Sequence, residues 1–295
     1  MPVFLYTKIA AKPSTMIFKT IENLSIPEIA QLFNDAFADY FVKVELTPEL
    51  LQAKVDSEDL RTDISIGIFH NEKPVAFMLH GLRETDGKKV AYNGGTGVIK
   101  EFRGQHATVK MYEQQISILK TKGVDEIELE VIDKNIQAIK SYEKAGFRKT
   151  ADLDCFIGKP NEPAKNSGLR IQEIQSVDHQ LLQSFWDWQP SWQNASETIE
   201  KLTDGITYGA FIDDELAGYL TAYPKRARVL QFAVAPNQRR LGIGSNLFYY
   251  FANTVSGEIN VNNIDDPGQN TQNFLKSIGL RHFLTQNKMT LKLES

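Results

Sequence analysis

The sequence contains a single cysteine, Cys155, among its 295 residues. One cysteine excludes an intrachain disulfide, a thiolate zinc cage and a CxxC redox pair. This pattern is typical of proteins from a reducing compartment, so we expect a cytoplasmic protein without a bound metal. Partners and chemistry must therefore be inferred from other residue types.

Long apolar runs and a strong charge of one sign are also missing. No apolar run approaches the roughly 18–20 residues of a membrane span, and the opening residues lack the apolar stretch of a signal peptide. The formal net charge is −4, which is too mild to indicate nucleic acid or an anionic membrane as a partner. The sequence leaves the oligomeric state open.

The length of the chain is what two domains of roughly 100–150 residues require. The strongest compositional break is rich in Gly, Pro, Asn and charge and predicts a linker at 159–168. We therefore expect one domain at 16–158 and a second at 169–295. Residues 1–15 form an N-terminal extension whose structure the sequence does not decide.

The two halves repeat one order of elements, β-α-α-β-β-β-α-β-α-β, which indicates an internal duplication. Apolar residues alternate in the strands and recur at helical spacing in the helices. The alternative interpretation is that the two halves are not duplicates, because any α/β chain shows such an alternation of strands and helices. The shared landmarks are a hairpin glycine, a loop arginine and a helix-ending glycine, at Gly67 and Gly209, Arg103 and Arg239, and Gly146 and Gly279.

A loop in the second half carries the clearest chemical signal. It follows an apolar strand that ends at Val234 and precedes a helix, and it contains Arg239, Arg240, Leu241, Gly242, Ile243, Gly244 and Ser245. Backbone N–H groups at a helix start bind anions, glycines let the backbone approach phosphate oxygens, and an arginine adds charge. The loop predicts a pyrophosphate site; the alternative is a glycine-containing surface turn.

At Arg239, Gly242 and Gly244 the sequence resembles the GNAT superfamily of N-acetyltransferases, in which this loop holds the pyrophosphate of coenzyme A. The resemblance covers both halves. It implies an α/β (α+β) protein with two tandem acyl-CoA N-acyltransferase folds, each a mixed, mostly antiparallel sheet flanked by helices. It also implies acetyl-CoA as the acetyl donor and a small-molecule or peptide amine as the acceptor.

The first half departs from the signature at two positions. After Val98, the loop contains Arg103, Gly104, Gln105, His106, Ala107 and Thr108. Arg103 matches, whereas His106 and Thr108 replace the two glycines. Backbone amides can still bind phosphate there, although the His106 side chain restricts close approach. No second His or Cys lies at metal-ligand spacing from His106.

A second landmark favours the first half. The segment from Asn135 through Tyr142 to Phe147 resembles the superfamily segment in which the Asn contacts the pantetheine arm and the Tyr lies near the sulfur. Tyr142 is therefore the candidate general acid for the leaving thiolate. The alternative is a tyrosine whose ring packs in the core. Leu275 stands at this position in the second half, so we favour the first half as catalytic.

Acetyl transfer to an amine needs no protein nucleophile, so Cys155 is interpreted as a packing residue. By resemblance, the backbone N–H of Gly97 or Val98 stabilises the oxyanion. Glu130 is the candidate general base, with Tyr92 and Asn93 on the preceding strand. Side chains alternate between the two faces of a strand, but the sequence does not determine which face each of these residues uses.

Aromatic residues in the first helices of each half are either an acceptor pocket or core. They are Phe33, Phe37, Tyr40, Phe41, Phe185, Trp186, Trp188 and Trp192. Two other functions remain open: a non-catalytic acetyl-CoA-binding regulatory or scaffold protein, suggested by the incomplete half-sites, and an aminoacyltransferase that uses charged tRNA. The acidic composition argues against the tRNA-dependent function.

Overall fold

The computed structural model describes residues 16–39, 45–85, 87–164, 166–175 and 178–293. The N-terminal extension 1–15, Tyr40 and Phe41 lie outside these ranges. The first half contains β1 (Met16–Thr20), α1 (Ile26–Phe37), α2 (Pro48–Ser57), β2 (Leu60–His70), β3 (Lys73–Thr85), β4 (Lys88–Val98), α3 (Ala107–Thr121), β5 (Glu126–Ile132), α4 (Ile136–Lys144) and β6 (Arg148–Gly158).

The second half contains β7 (Arg170–Glu173), α5 (His179–Gln183), α6 (Ser196–Ile199), β8 (Ile206–Ile212), β9 (Glu215–Tyr223), β10 (Arg228–Val234), α7 (Ile243–Ala252), β11 (Ile259–Ile264), α8 (Asn270–Ser277) and β12 (Arg281–Lys292). The repeated element order is confirmed. Both hairpins turn through two residues with positive φ, which the right-handed strand twist favours. These residues are Asn71 and Glu72 in one half and Asp213 and Asp214 in the other.

Across the described residues, twelve strands form one sheet in the order β1-β2-β3-β4-β5-β12-β6-β11-β10-β9-β8-β7. The described pairings are antiparallel except for β4 with β5 and β10 with β11. The closing strands are exchanged: β12 of the second half pairs with β5 of the first, and β6 of the first half pairs with β11 of the second. The mixed, mostly antiparallel sheet is therefore confirmed, but it runs through both halves.

Each half has its own buried cluster, and each cluster includes a residue of the other half. Met289 from β12 packs in the cluster beneath α3, with Met111 and Tyr112. Phe156 from β6 packs with Phe248 in the cluster beneath α7. The exchange thus involves side-chain packing as well as hydrogen bonds. No helix in the described ranges is long and apolar enough to cross a membrane.

Two parallel strand pairs separate part-way along their length. Pairing of β4 with β5 ends at Asn93 and Leu129, where Gly94 is an unpaired extra residue opposite β3. Pairing of β10 with β11 ends at Val229 and Val261, next to a similar register shift on β10. Such bulges bend a strand and end its regular pairing. Each half therefore has a gap in the sheet directly before the arginine-containing loop.

Candidate active site

The two arginine-containing loops have the same backbone course despite different residues. Gly104 and Arg240 are left-handed, with φ of 79° and 67°, and the N-cap residues His106 and Gly242 are also left-handed, with φ of 58° and 78°. His106 thus adopts the conformation that glycine provides in the other half. The N–H groups of the first turn of α3 have no carbonyl partner within the helix and are available to an anion.

Arg103 connects its loop to the first helix. Its Nε donates to the Val98 carbonyl oxygen at 3.0 Å, and its terminal nitrogens contact the Asp39 carboxylate at 2.7 and 2.8 Å. A further bond reaches the Ala36 carbonyl oxygen at 2.9 Å. The guanidinium hydrogen bond holds the pKa of Asp39 below its ordinary value. Arg103 therefore fixes the position of the loop.

Arg239 makes the same set of contacts in the second half. Its Nε donates to the Val234 carbonyl oxygen at 3.1 Å, and its terminal nitrogens contact Asp187 at 3.0 Å and the Phe185 carbonyl oxygen at 3.0 Å. The loop sequence predicts that Arg239 adds positive charge at a phosphate. The structure instead directs its guanidinium to the chain that precedes the loop, whereas the neighbouring Arg240 side chain is exposed.

The remaining loop residues differ in exposure. Gln105 and Leu241 are exposed, whereas Ala107 and Ile243 are buried as the first residues of α3 and α7. The linker lies over the second loop, where the Asn166 side chain donates to the Leu241 carbonyl oxygen at 3.2 Å. A hollow of about 600 Å³ lies between the linker and the second loop. It is lined by Pro163, Ala164, Asn166, Ser167, Arg240, Leu241, Gly242 and Ser245.

Tyr142 lies on the α3 and α4 side of the first gap. It is 8% exposed and belongs to the cluster that contains Leu129 from the edge of β5. Its ring packs against Tyr112 at 6.1 Å and Phe147 at 5.9 Å between centroids. The Tyr112 hydroxyl accepts a hydrogen bond from Asn93 at 2.6 Å. The ring of Tyr142 is thus a core ring, and its position beside the gap is compatible with the predicted acid.

Asn135 is the N-cap of α4, where its side-chain oxygen accepts a hydrogen bond from the Ala138 N–H at 3.2 Å. This contact satisfies a first-turn amide, as side chains at N-cap positions do. The side chain predicted to meet the pantetheine arm therefore also fixes the start of the helix that carries Tyr142.

The two predicted oxyanion donors, the N–H groups of Gly97 and Val98, point to opposite sides of β4. The Ile99 N–H donates to the Val75 carbonyl oxygen at 3.0 Å, and Gly97 stands opposite Phe77. Hydrogen-bonded and non-bonded pairs alternate between antiparallel strands, so the Gly97 N–H faces β3 and the Val98 N–H faces the gap. A Cβ at Gly97 would lie 2.5 Å from the Phe77 ring. Gly97 is needed for packing, and Val98 is the better placed donor.

Glu130 lies on the opposite face of the sheet, together with Tyr92. Its Oε2 accepts hydrogen bonds from Tyr92 at 3.2 Å, Gln193 at 3.1 Å and Asn263 at 2.8 Å. Burial, and secondarily the negative charge of Glu58, raises the pKa of Glu130 to about 7. A carboxylate with this pKa can accept a proton near neutral pH and release it again.

Residues of the second half position Glu130, a contribution that no sequence motif predicts. Gln193 follows α5, and the buried Asn263 belongs to β11, where its φ of 62° accompanies a register shift. The Asn263 side-chain oxygen accepts a hydrogen bond from Gln286 at 2.7 Å, which orients its NH₂ group toward Glu130. Neither residue lies in a recognisable motif, and contacts between the two halves bring them to Glu130.

The two halves are not equivalent at this position. The last paired residues of the parallel strands, Leu129 and Val261, align the halves, and the next residues are Glu130 and Asn262. An amide cannot act as a general base at neutral pH. The second half therefore has an amide where the first has a carboxylate, in addition to Leu275 where the first has Tyr142.

The acetyltransferase (GNAT) family model matches this chain twice, at residues 26–147 and 170–279. The chain belongs to the GNAT family. Among solved structures, it is similar to a tandem GNAT protein from the clavulanic acid biosynthesis pathway, with 12% identity, a TM-score of 0.72 and coverage of 95% of this chain and 99% of that chain.

It is also similar to a GCN5-related N-acetyltransferase from Sphaerobacter thermophilus, with 11% identity, a TM-score of 0.70 and coverage of 95% and 96% of the two chains. Identities this low establish a shared fold only. No curated protein matches the sequence significantly.

The residues around the two GNAT gaps differ in how well they suit acetyl-CoA. In the second half, Phe232, Phe248 and Phe274 pack together with ring centroids 4.8–6.2 Å apart. A Cβ at Gly244 would lie 2.9 Å from the Phe274 ring, so this glycine accommodates the ring. The positions equivalent to these phenylalanines in the first half are Thr96, Tyr112 and Ser141. The first gap therefore has hydroxyl-bearing side chains at the three positions that phenylalanines occupy beside the second gap.

The predicted aromatic pocket divides between core and interface. Phe33 and Phe37 stack at 4.5 Å in the cluster beneath α1, which makes them core residues. Trp192 instead crosses to the first half, where it stacks on Tyr92 at 5.1 Å and donates to the Glu58 carbonyl oxygen. Among the described residues, no group of three His, Cys, Asp or Glu side chains is placed to hold a metal.

Proposed function

We propose that the N-terminal half of this GNAT protein transfers the acetyl group of acetyl-CoA to an amine. The observation that carries the proposal is the placement of Glu130 and Tyr142 on opposite faces of one gap, while Asn262 and Leu275 replace them in the other half. Acceptor and donor can then meet through the sheet from its two sides.

The first half offers a place for each part of acetyl-CoA. The first-turn amides of α3, including that of Thr108, suit the pyrophosphate, and Asn135 and the edge of β4 suit the pantetheine arm. Acetyl-CoA supplies an acyl carbonyl activated as a thioester. The Val98 N–H faces the gap, where it can stabilise negative charge on the carbonyl oxygen.

The proton transfers follow from the two side chains. Glu130 takes a proton from the acceptor ammonium, and the neutral nitrogen then forms a bond to the acetyl carbon. The carbon–sulfur bond breaks, and the Tyr142 hydroxyl donates a proton to the leaving thiolate. The second proton lost by the nitrogen returns to the phenolate, so the products are an N-acetylated amine and coenzyme A.

The test is release of the coenzyme A thiol from acetyl-CoA in the presence of an amine panel. We expect amine-dependent release by the wild-type protein. Tyr142→Phe keeps the ring and removes the acid, so kcat should fall roughly 10²-fold while the KM for acetyl-CoA barely changes.

An unchanged thermal midpoint in Tyr142→Phe serves as the folding control. Full turnover in that variant would refute the assigned acid. Binding of acetyl-CoA without amine-dependent thiol release across the panel would instead favour the non-catalytic function.

A further inference from the structure

A cavity lies between the two halves, beside the candidate base Glu130. Its volume is about 60 Å³, which is enough for the end of an alkyl amine. It lies on the face of the sheet opposite Tyr142. Its lining includes Tyr92, Glu128 and Glu130 from the first half and Ser191, Trp192, Asp265 and Lys288 from the second.

The cavity contains more carboxylates than cations. Glu128 is neutralised by Lys288, whose Nζ lies 2.9 Å from it. Asp265 is half-buried and accepts no hydrogen bond from any described residue. Its partial burial raises its pKa above the ordinary value, and the positive charge of Lys288 opposes this rise. Lys288 is the one cation that lines the cavity among the described residues, and it faces both Glu128 and Asp265. A cationic ligand beside Asp265 would therefore add the positive charge that this partly desolvated carboxylate favours.

Two further polar atoms at the cavity are available to a ligand. The Ser191 hydroxyl oxygen is buried without a hydrogen-bond partner among the described residues. The hydrogen bonds described for Glu130 all reach Oε2, so Oε1 is available on a side chain that lines the cavity. An ammonium group has three donors and no acceptor, which suits this set of oxygen atoms.

The reaction itself requires one nitrogen to be neutral. Once Glu130 has taken its proton, the reacting amine no longer carries the charge that would compensate Asp265. A second ammonium on the same acceptor keeps its charge during the reaction. An acceptor with a carboxylate at that end would instead place like charges together.

We infer that the C-terminal half completes the acceptor site of the N-terminal half, and that the acceptor is a linear amine with a second positive charge, which Asp265 binds. This inference rests on the proposed function for its reacting nitrogen. The residues that select the acceptor would then belong to the C-terminal half, which lacks the base and the acid.

The test uses three four-carbon acceptors that differ in the charge of the far end: 1,4-diaminobutane, n-butylamine and 4-aminobutanoate. We expect the wild-type kcat/KM to be at least tenfold higher for the diamine than for n-butylamine, and lowest for 4-aminobutanoate. Asp265→Asn should remove the preference for the diamine without changing the KM for acetyl-CoA.

Asp214→Asn is the matched control, since this carboxylate is 93% exposed on the β8–β9 turn, away from the cavity. It should keep the full preference. Equal use of the diamine and n-butylamine by the wild-type protein, or an unchanged preference in Asp265→Asn, would overturn the inference.

Calorimetric titration with 1,4-diaminobutane separates this inference from the proposed function. Binding that weakens at least tenfold in Asp265→Asn but not in Asp214→Asn supports the cation site even if no acetyl transfer is measured. Turnover with other amines but no binding of the diamine would refute the cation site and leave the proposed function intact.

Discussion

At the scale of single residues, Glu130 shows how one half of the chain determines the chemistry of a residue in the other. Burial and the nearby Glu58 favour its neutral form, whereas the Tyr92 hydrogen bond and the positive charges of Arg228 and Lys54 favour its charged form. Burial dominates, and the pKa rises from 4.5 to about 7. Glu130 is therefore half protonated near neutral pH.

Glu130→Gln should reduce kcat/KM for the diamine roughly 10²- to 10³-fold, because the amide cannot take a proton. In the wild-type protein, log kcat/KM should rise with a slope of one as pH increases toward about 7 and then level off. The variant should lose this inflection, which rate measurements between pH 5 and 9 would reveal. An identical inflection in the variant would assign it to another group, such as the acceptor itself.

The same pKa predicts a stability effect of defined sign. Between pH 4.5 and 7 the folded protein keeps a proton on Glu130 that the unfolded chain releases, so raising the pH destabilises the wild-type protein. Relative to Glu130→Gln, its free energy of unfolding should decrease by about 1 to 3 kcal/mol across this interval. Urea unfolding at pH 4.5 and pH 8 measures the difference, and a difference independent of pH would contradict the raised pKa.

At the scale of elements, the two loops show that equal backbone geometry does not imply equal function. The signature glycines of the second loop are explained by a left-handed φ at Gly242 and by Phe274 packed against Gly244. The first loop achieves the same course with His106 and keeps Thr108 in the first turn of α3. The signature motif alone would therefore assign coenzyme A binding to the second loop, whereas the packing around the two loops favours the first loop for that role.

Matched substitutions distinguish the loops. Thr108→Glu places a carboxylate in the first turn of α3, where it repels the pyrophosphate and competes for the helix amides. It should raise the KM for acetyl-CoA at least tenfold. Ser245→Glu, in the first turn of α7, should leave turnover within about twofold of wild type because that half lacks the base and the acid. An equal loss of turnover in both variants would contradict a single productive site.

Much of the first half's site is predictable from sequence because its motifs are local. The strand, loop and helix around Arg103 and the helix around Tyr142 follow from periodicity, and their boundaries agree with the structure to within a few residues. The face used by Glu130 does not follow, since alternation fixes relative but not absolute orientation. Gln193, Asn263 and Asp265 carry no local signal, because their role depends on contacts across the two halves.

At the scale of the whole molecule, the exchanged strands are the feature that sequence patterns do not reveal. Strands β6 and β12 have similar polarity and follow equivalent helices, so pattern alone does not tell which edge each one joins. The strand order places β12 beside β5 and β6 beside β11. The predicted domain boundaries at the linker therefore divide a sheet that neither half completes alone.

Cleavage of a protease site inserted into the linker 159–168 should not separate the halves, because β6 and β12 remain paired with their exchanged partners. The nicked protein should elute as one species in size-exclusion chromatography. Cys155 provides an independent probe: it is buried on β6, and burial raises the pKa of its thiol to about 11.

The Cys155 thiol should therefore react with a thiol reagent no faster in the nicked protein than in the intact protein. In both proteins it should react rapidly only after denaturation. Folded fragments that separate in native buffer would show that the exchange contributes little to association.

The position of β12 at the end of the chain also has a consequence for biosynthesis. A ribosome that has completed residues 1–158 has produced all the other described strands of the first half, yet the edge of β5 lacks its native partner until residues 281–292 emerge. During that interval the nascent chain exposes an unpaired strand edge, which is a site for aggregation or chaperone binding. The N-terminal half is thus made first, but its sheet is completed only after β12 of the second half has been made.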